Sequence, residues 1–195
     1  MRIGEIVETC SVNFVAEGDL NQPPALGSLV KVELSEDDCV FAVIAYAQTG
    51  GLEPGRRAVR RGTEEVQNAA IYNEHPQLHR TLRTVFQAVL VGGQVGKRMY
   101  QQLPAQPPPL HYSVEECSVQ EAIDFSDRLY YLRLLLEATV DIPASHLIVA
   151  HVNQAYLLRG ADQTWLGKVA RELSSLLKDE NERLLSILYA IDPGI

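Results

Sequence analysis

The feature of this sequence that most constrains its fold is a change of hydrophobic period after Cys117. Before that residue, short segments alternate apolar and polar side chains with a period of two, which is typical of strands. The strongest of them, residues 40–46, has the β-branched and aromatic content of a buried strand. After Cys117, apolar residues recur every three or four positions, as they do in helices. The sequence therefore predicts an α+β protein, with a β part followed by an α part.

The β part is predicted to contain about six strands. They are placed at residues 1–7, 11–17, 29–34, 40–46, 85–91 and 110–117. Gly92 and Gly93 are predicted to turn the chain back after the fifth strand. The run Pro107-Pro108-Pro109 is predicted to be extended, because proline fixes φ and has no N–H donor. We interpret it as a rigid connector between barrel and helices rather than as a ligand for a polyproline-reading domain.

Two groups of helices are predicted. An insertion at about residues 63–83 would hold two short helices, and the α part would be a C-terminal bundle of about four, at residues 118–139, 143–159, 162–177 and 179–191. Ser118 and Glu121 have the spacing of a capping box, which marks the start of the first of the four. Trp165, the only tryptophan, is open to two interpretations: an anchor of the helical core or a hot spot of an interface.

Composition bounds the class of protein. The 195 residues carry a net charge of −8, and a surface of that sign repels phosphate backbones. The three cysteines are too few and too scattered for a disulfide framework, which favours free thiols and a reducing compartment. No segment approaches the roughly 18–20 apolar residues of a membrane span. We therefore expect a soluble, cytoplasmic protein, for which nucleic acid is disfavoured as a partner by net charge.

No motif predicts an enzyme. The stretch from Gly92 to Arg98 is the nearest approach to a phosphate-binding loop, but Val91 replaces its first glycine and Arg98 replaces its hydroxyl residue. His75 and His79 have the i, i+4 spacing of metal ligands on one helix, but Pro76 starts a helix after the first of them. The sequence also lacks a nucleophile elbow of the Gly-x-Ser-x-Gly type. We expect neither catalysis nor a cofactor.

One cluster of charge is a candidate site. Arg56, Arg57, Arg60 and Arg61 bring four cations within six positions of an acidic chain. Guanidinium forks suit carboxylates and phosphates alike. Three interpretations stay open at this point: a solvated loop paired with nearby glutamates, a site for an acidic protein partner, or a site for nucleic acid.

Four segments of the β part resemble one barrel family. They read Met-Arg-Ile-Gly-Glu-Ile-Val at residues 1–7, Pro-Ala-Leu-Gly-Ser-Leu-Val-Lys-Val at 24–32, Glu-Pro-Gly-Arg-Arg at 53–57 and Leu-Pro-Ala-Gln-Pro-Pro-Pro-Leu-His at 103–111. In this order they resemble the HerA–ATP synthase (HAS) barrel, which precedes the motor domain of those ATPases. The resemblance implies a small closed β-barrel domain over residues 1–117, with the helical insertion, and a helical domain over residues 118–195.

The resemblance also implies a function. In the ATPases this barrel is not catalytic; it forms the crown of a ring, holds neighbouring subunits together and docks partners. No nucleotide machinery follows it here. We therefore expect a non-enzymatic interaction or assembly module, whose partner is a ring ATPase, another large complex or a second copy. The alternative is an accessory factor in DNA processing or repair that binds nucleic acid through the arginine cluster.

Overall fold

The fold is built from seven strands and seven helices in a computed structural model that describes residues 1–52 and 58–191. The strands are β1 (Arg2–Thr9), β2 (Asn13–Gly18), β3 (Leu29–Glu33), β4 (Asp38–Gly51), β5 (Leu82–Val95), β6 (Arg98–Tyr100) and β7 (Ser113–Glu116). The helices are α1 (Ala70–Glu74), α2 (Leu78–Thr81), α3 (Val119–Ser126), α4 (Leu132–Leu136), α5 (Ala144–Leu158), α6 (Gln163–Leu176) and α7 (Asn181–Ala190). None of these helices, in the part of the chain that is described, is long and apolar enough to cross a membrane.

Six of the strands close into an antiparallel barrel. Their order is β2-β1-β7-β3-β4-β5, and β2 pairs with β5 to complete the circle. Strand β6 lies outside the circle and pairs with β5 alone. The predicted α+β class and the closed barrel are therefore confirmed. Closure removes the free edges that an open sheet of these strands would expose.

The central parts of the two longest strands, β4 and β5, are buried on both faces, which explains why residues 40–45 and 88–93 carry no polar side chain. In β4, Val40, Ala42 and Ile44 point into the barrel. Their neighbours Phe41 and Val43 point outward, yet they are as completely buried. The outward residues are covered because the helices that follow β7 pack against this side of the barrel.

The helices share one hydrophobic core with the outer face of β4 and β5. Helix α5 lies at its centre and contacts α3, α4, α6 and α7. Between residues 118 and 191 the chain forms five helices rather than the predicted four, because the first predicted helix is interrupted after Ser126.

The proline segment lies between β6 and β7, so it joins two strands and does not connect the barrel to the helices as predicted.

The first predicted helix is interrupted where side chains from other segments donate hydrogen bonds to carbonyl groups at the end of α3. Gln101 donates to the carbonyls of Phe125 and Arg128, and the indole Nε1–H of Trp165 donates to that of Ser126 at 2.8 Å. The Arg159 guanidinium donates to the carbonyl of Ile123. Side chains from distant segments thus satisfy the carbonyls at the end of α3, which an uninterrupted helix would have bonded internally.

Gly92 and Gly93 do not form the predicted turn but lie inside β5, and the turn to β6 falls at Gly96, where φ is +56°. A Cβ at Gly92 would meet the carbonyl of Tyr100 and the ring of Phe125. At Gly93 it would meet the ring of Tyr100 and the carbonyl of Cys39. These glycines are therefore explained by close approach of neighbouring groups rather than by chain reversal.

Candidate partner-binding site

The chain between β4 and β5 leaves the barrel and returns to it. We call its described residues 58–81 the arm. It contains α1 and α2, neither of which has a buried residue. Both lie within the insertion, at about residues 63–83, that the sequence predicted to hold two short helices. The arm is joined to the barrel by the pairing of Gly51 with Leu82 and by a hydrogen bond from Leu52 N–H to the Thr81 carbonyl. A segment with so little buried surface is suited to binding rather than to supporting the core.

The structure places two of the four predicted cluster residues, Arg60 and Arg61, on this arm. Arg56 and Arg57 lie outside the described residues. Arg60 and Arg61 are exposed, and Arg61 lines an open pocket of about 410 Å³. Helix α2 adds Arg80 to the same pocket, a residue that the sequence did not connect with the cluster. Two arginines from separate segments therefore line one cavity.

We call this cavity the arm pocket. Its lining residues are Gly51, Leu52, Ala58, Val59, Arg61, Ile71, Tyr72, Leu78, Arg80, Thr81 and Leu82. Apart from the two arginines they are mostly apolar, although Leu52 is 44% exposed and Val59 is 72% exposed. Exposed apolar surface next to cationic side chains is typical of a binding site.

The two histidines near the pocket do not form the metal site considered from their spacing. His75 follows the end of α1, whereas His79 lies in α2, so they are on different helices. The imidazole of His79 packs against the ring of Tyr72, with 5.7 Å between the ring centroids. Over residues 1–52 and 58–191, no group of three His, Cys, Asp or Glu side chains is placed to hold a metal ion.

A second group of polar side chains lies between the barrel and the helices. His151 of α5 is 2% exposed, and its two ring nitrogens each have a partner at 2.7 Å, the Gly27 carbonyl and the Tyr131 hydroxyl. Because a carbonyl can only accept, Nδ1 carries the proton and Nε2 accepts from the tyrosine. Burial lowers the pKa of His151 to about 4, so the neutral form is retained. Every polar atom of the ring is satisfied, which indicates a structural joint rather than a catalytic pair.

This joint makes stability depend on pH. The unfolded chain binds a proton at His151 near its ordinary pKa of 6.5, whereas the folded chain does so only near pH 4. The stabilisation is complete above about pH 6.5 and is lost as the pH falls toward 4, by up to about 3 kcal/mol. We expect urea unfolding measured across this range to show that loss. His151→Gln should flatten the dependence, while His146→Gln, on the exposed side of the same helix, should not. Equal slopes for His151→Gln and the wild type would contradict the assignment.

Cys39 and Cys117 are not arranged as nucleophiles. Burial raises the pKa of Cys39 to about 11 and raises that of Cys117 as well, so both remain protonated thiols. All three cysteines are free. Near them, Lys31 of β3 lies 2.8 Å from Glu121 of α3, and hydrogen bonds to Glu121 and Glu33 raise the pKa of this lysine. This ion pair also ties the barrel to the helices.

Trp165 is 1% exposed, which answers the question left open by the sequence in favour of a core anchor. Its ring lies beneath the Arg159 guanidinium, 4.9 Å from the centroid. Neither residue faces the arm pocket.

Comparison with known proteins adds no family to this description. No family model matches the chain, and no curated protein matches it. The fold and the site define an α+β protein with a closed six-stranded barrel and an arginine-bearing arm.

Proposed function

We propose that this protein is a non-enzymatic interaction and assembly module that docks a protein partner at the arm end of its barrel. The observation that carries the proposal is the contrast between the two outer regions of the barrel. The face formed by β4 and β5 is already covered by the protein's own helices. The arm, by contrast, keeps arginines and apolar side chains exposed around a preformed pocket.

The chemistry of the arm pocket supports binding rather than catalysis. Among the described residues that line it there is no His, Cys, Asp or Glu. A general base or metal ligand would ordinarily be drawn from those residue types. Elsewhere, the buried His151 is fully engaged in its structural hydrogen bonds.

The resemblance to the HAS barrel supports the same proposal and suggests the kind of assembly. Barrels of that family hold subunits together and dock partners without performing chemistry. By this resemblance the partner is a ring ATPase, another large complex or a second copy of the chain. The segment at residues 53–57 that contributes to the resemblance immediately precedes the arm in sequence.

An accessory role in DNA processing is the second candidate. It is favoured by Arg80, which adds a cation to Arg60 and Arg61 on the arm. It is opposed by the net charge of −8 and by the apolar lining of the pocket. Salt-sensitive binding of duplex DNA that is lost in an Arg60→Glu, Arg61→Glu, Arg80→Glu variant would favour it. If the wild type binds no DNA at low salt, this candidate is eliminated.

Site-specific photocrosslinking tests the docking proposal directly. A benzophenone amino acid is placed at Val59 on the arm or at Tyr189 on α7, which are 72% and 75% exposed. We expect a discrete crosslinked protein from position 59 in the native lysate and none from position 189, because only the arm is proposed to contact the partner. Crosslinks from position 189 alone, or from neither position, would contradict docking at the arm.

A further inference from the structure

We infer that the arm pocket recognises a short acidic segment of a partner protein, in which a carboxylate stands next to a bulky apolar side chain. This inference rests on the proposed function and specifies which kind of partner segment the arm pocket binds. The combination of cations and apolar side chains in one cavity is its basis.

The cationic half of the recognition comes from Arg61 and Arg80. A guanidinium group is a planar fork that pairs with a carboxylate through two parallel hydrogen bonds. None of the described residues that line the pocket is acidic. The arm as a whole balances three arginines against three glutamates, but of these charged residues only Arg61 and Arg80 line the pocket, within a chain of net charge −8. An acidic segment is therefore complementary to this pocket and is repelled by most of the remaining surface.

The apolar half comes from side chains of the barrel end and of both arm helices. Leu52 and Leu82 belong to the chain at the barrel end, and Ile71 and Leu78 belong to α1 and α2. A bulky apolar side chain bound among them would remove their surface from water, which is the main source of affinity in such sites. The volume of about 410 Å³ lies in the range of small-ligand pockets, so it suits a few side chains rather than a whole helix.

The same lining favours a peptide over nucleic acid. Single-stranded nucleic acid is held mainly by phosphate contacts and by stacking of bases on aromatic rings. Tyr72 is the one aromatic residue among the described residues that line the pocket, and its ring already packs against His79. The remaining apolar side chains are aliphatic and offer no stacking platform.

Fluorescence anisotropy with a short labelled peptide, Ser-Gly-Asp-Phe-Asp-Gly-Ser, tests the inference on the full chain. We expect Asn-Phe-Asn and Asp-Ala-Asp versions of the peptide to bind at least about tenfold more weakly, since each lacks one half of the recognition. Arg61→Glu and Arg80→Glu should each weaken binding of the first peptide by a similar factor. Arg171→Glu makes the same change of charge at an exposed position of α6, outside the pocket, and should leave binding unchanged.

The outcomes separate this inference from the proposed function. Equal binding of the Asp-Phe-Asp and Asn-Phe-Asn peptides, or wild-type affinity in both pocket variants, overturns the inference. Tighter binding of single-stranded DNA than of the acidic peptide at the same pocket also overturns it, in favour of nucleic acid. Crosslinking from position 59 without peptide recognition leaves docking at the arm intact, whereas loss of that crosslink counts against the proposed function itself. Because Arg61 and Arg80 are exposed, their variants are expected to melt with the wild type by circular dichroism.

Discussion

Replacement of Gly27 by alanine is expected to destabilise the protein by about 3 kcal/mol or more, because two separate costs coincide at this residue. Gly27 has a φ of +82°, a conformation that side chains with a Cβ rarely adopt. A Cβ there would also meet the main chain of α5. It would lie 2.5 Å from the carbonyl carbon of Ala150 and in contact with the backbone nitrogen of His151. Backbone atoms inside a helix cannot move aside as a flexible side chain would. The expected result is that the segment around Gly27 no longer packs against α5.

The matched control is Gly96→Ala. Gly96 also has a positive φ, +56°, but a Cβ there would have nothing within 4 Å. The free energy of unfolding of Gly96→Ala should therefore fall only by the conformational cost, about 1 kcal/mol. Urea unfolding of both variants measures the difference between their losses of stability. That difference reports the close approach of Gly27, in the loop before β3, to the main chain of α5. Equal losses in the two variants would show that this approach contributes little to stability.

Replacement of Trp165 by alanine is expected to destabilise the protein by about 4 kcal/mol. The side chain is almost completely buried, so its removal leaves a cavity in the core between the helices and the barrel. Ser126 would lose the donor to its carbonyl, and Arg159 would lose the ring beneath its guanidinium. Because Trp165 is the only tryptophan, unfolding must be followed by circular dichroism rather than by intrinsic fluorescence.

A second variant of Trp165 divides that loss of stability into its parts, and a variant of Tyr189 serves as the control. Trp165→Phe keeps most of the buried apolar surface but removes the indole donor, and should cost about 1–2 kcal/mol. Tyr189→Ala removes an aromatic ring that is 75% exposed on α7 and should change stability by less than about 0.5 kcal/mol. A loss at Trp165→Ala no larger than that at Tyr189→Ala would contradict the role of this residue as the anchor of the helical core.

Much of the fold was predictable from local pattern. The alternation in β4 places one set of apolar residues inward and the other outward, and its almost continuous apolar sequence indicates burial on both faces. The capping box of Ser118 and Glu121 is present as predicted and fixes the start of α3. Such features depend on neighbours in sequence, which is why reasoning from sequence finds them.

The parts that were missed depend on contacts between distant segments. The end of α3 is set by donors from Gln101, Arg159 and Trp165, none of which is near it in sequence. The predicted helix therefore continued through residues 127–131, where the structure has none. Gly92 and Gly93 were interpreted as a turn because a glycine pair in sequence does not reveal the Tyr100 backbone and ring that approach it.

The candidate site shows the same division. Arg60 and Arg61 were recognisable as part of a dense basic run in an acidic chain. Arg80 was not, since only the return of the chain through α2 brings it to the arm pocket beside Arg61. The apolar lining was also unpredictable, because it draws on β4, β5 and both arm helices at once.

The position of β7 in the sheet has a consequence for how the chain folds during synthesis. Strands β1 to β5 are all made before β7, but β1 and β3 become joined only when β7 inserts between them and pairs with both. Until residues 113–116 leave the ribosome, the nascent sheet has two unpaired edges, and edges of this kind are prone to pair with other chains. The shortest strand of the barrel, β7, therefore removes both unpaired edges when it pairs with β1 and β3.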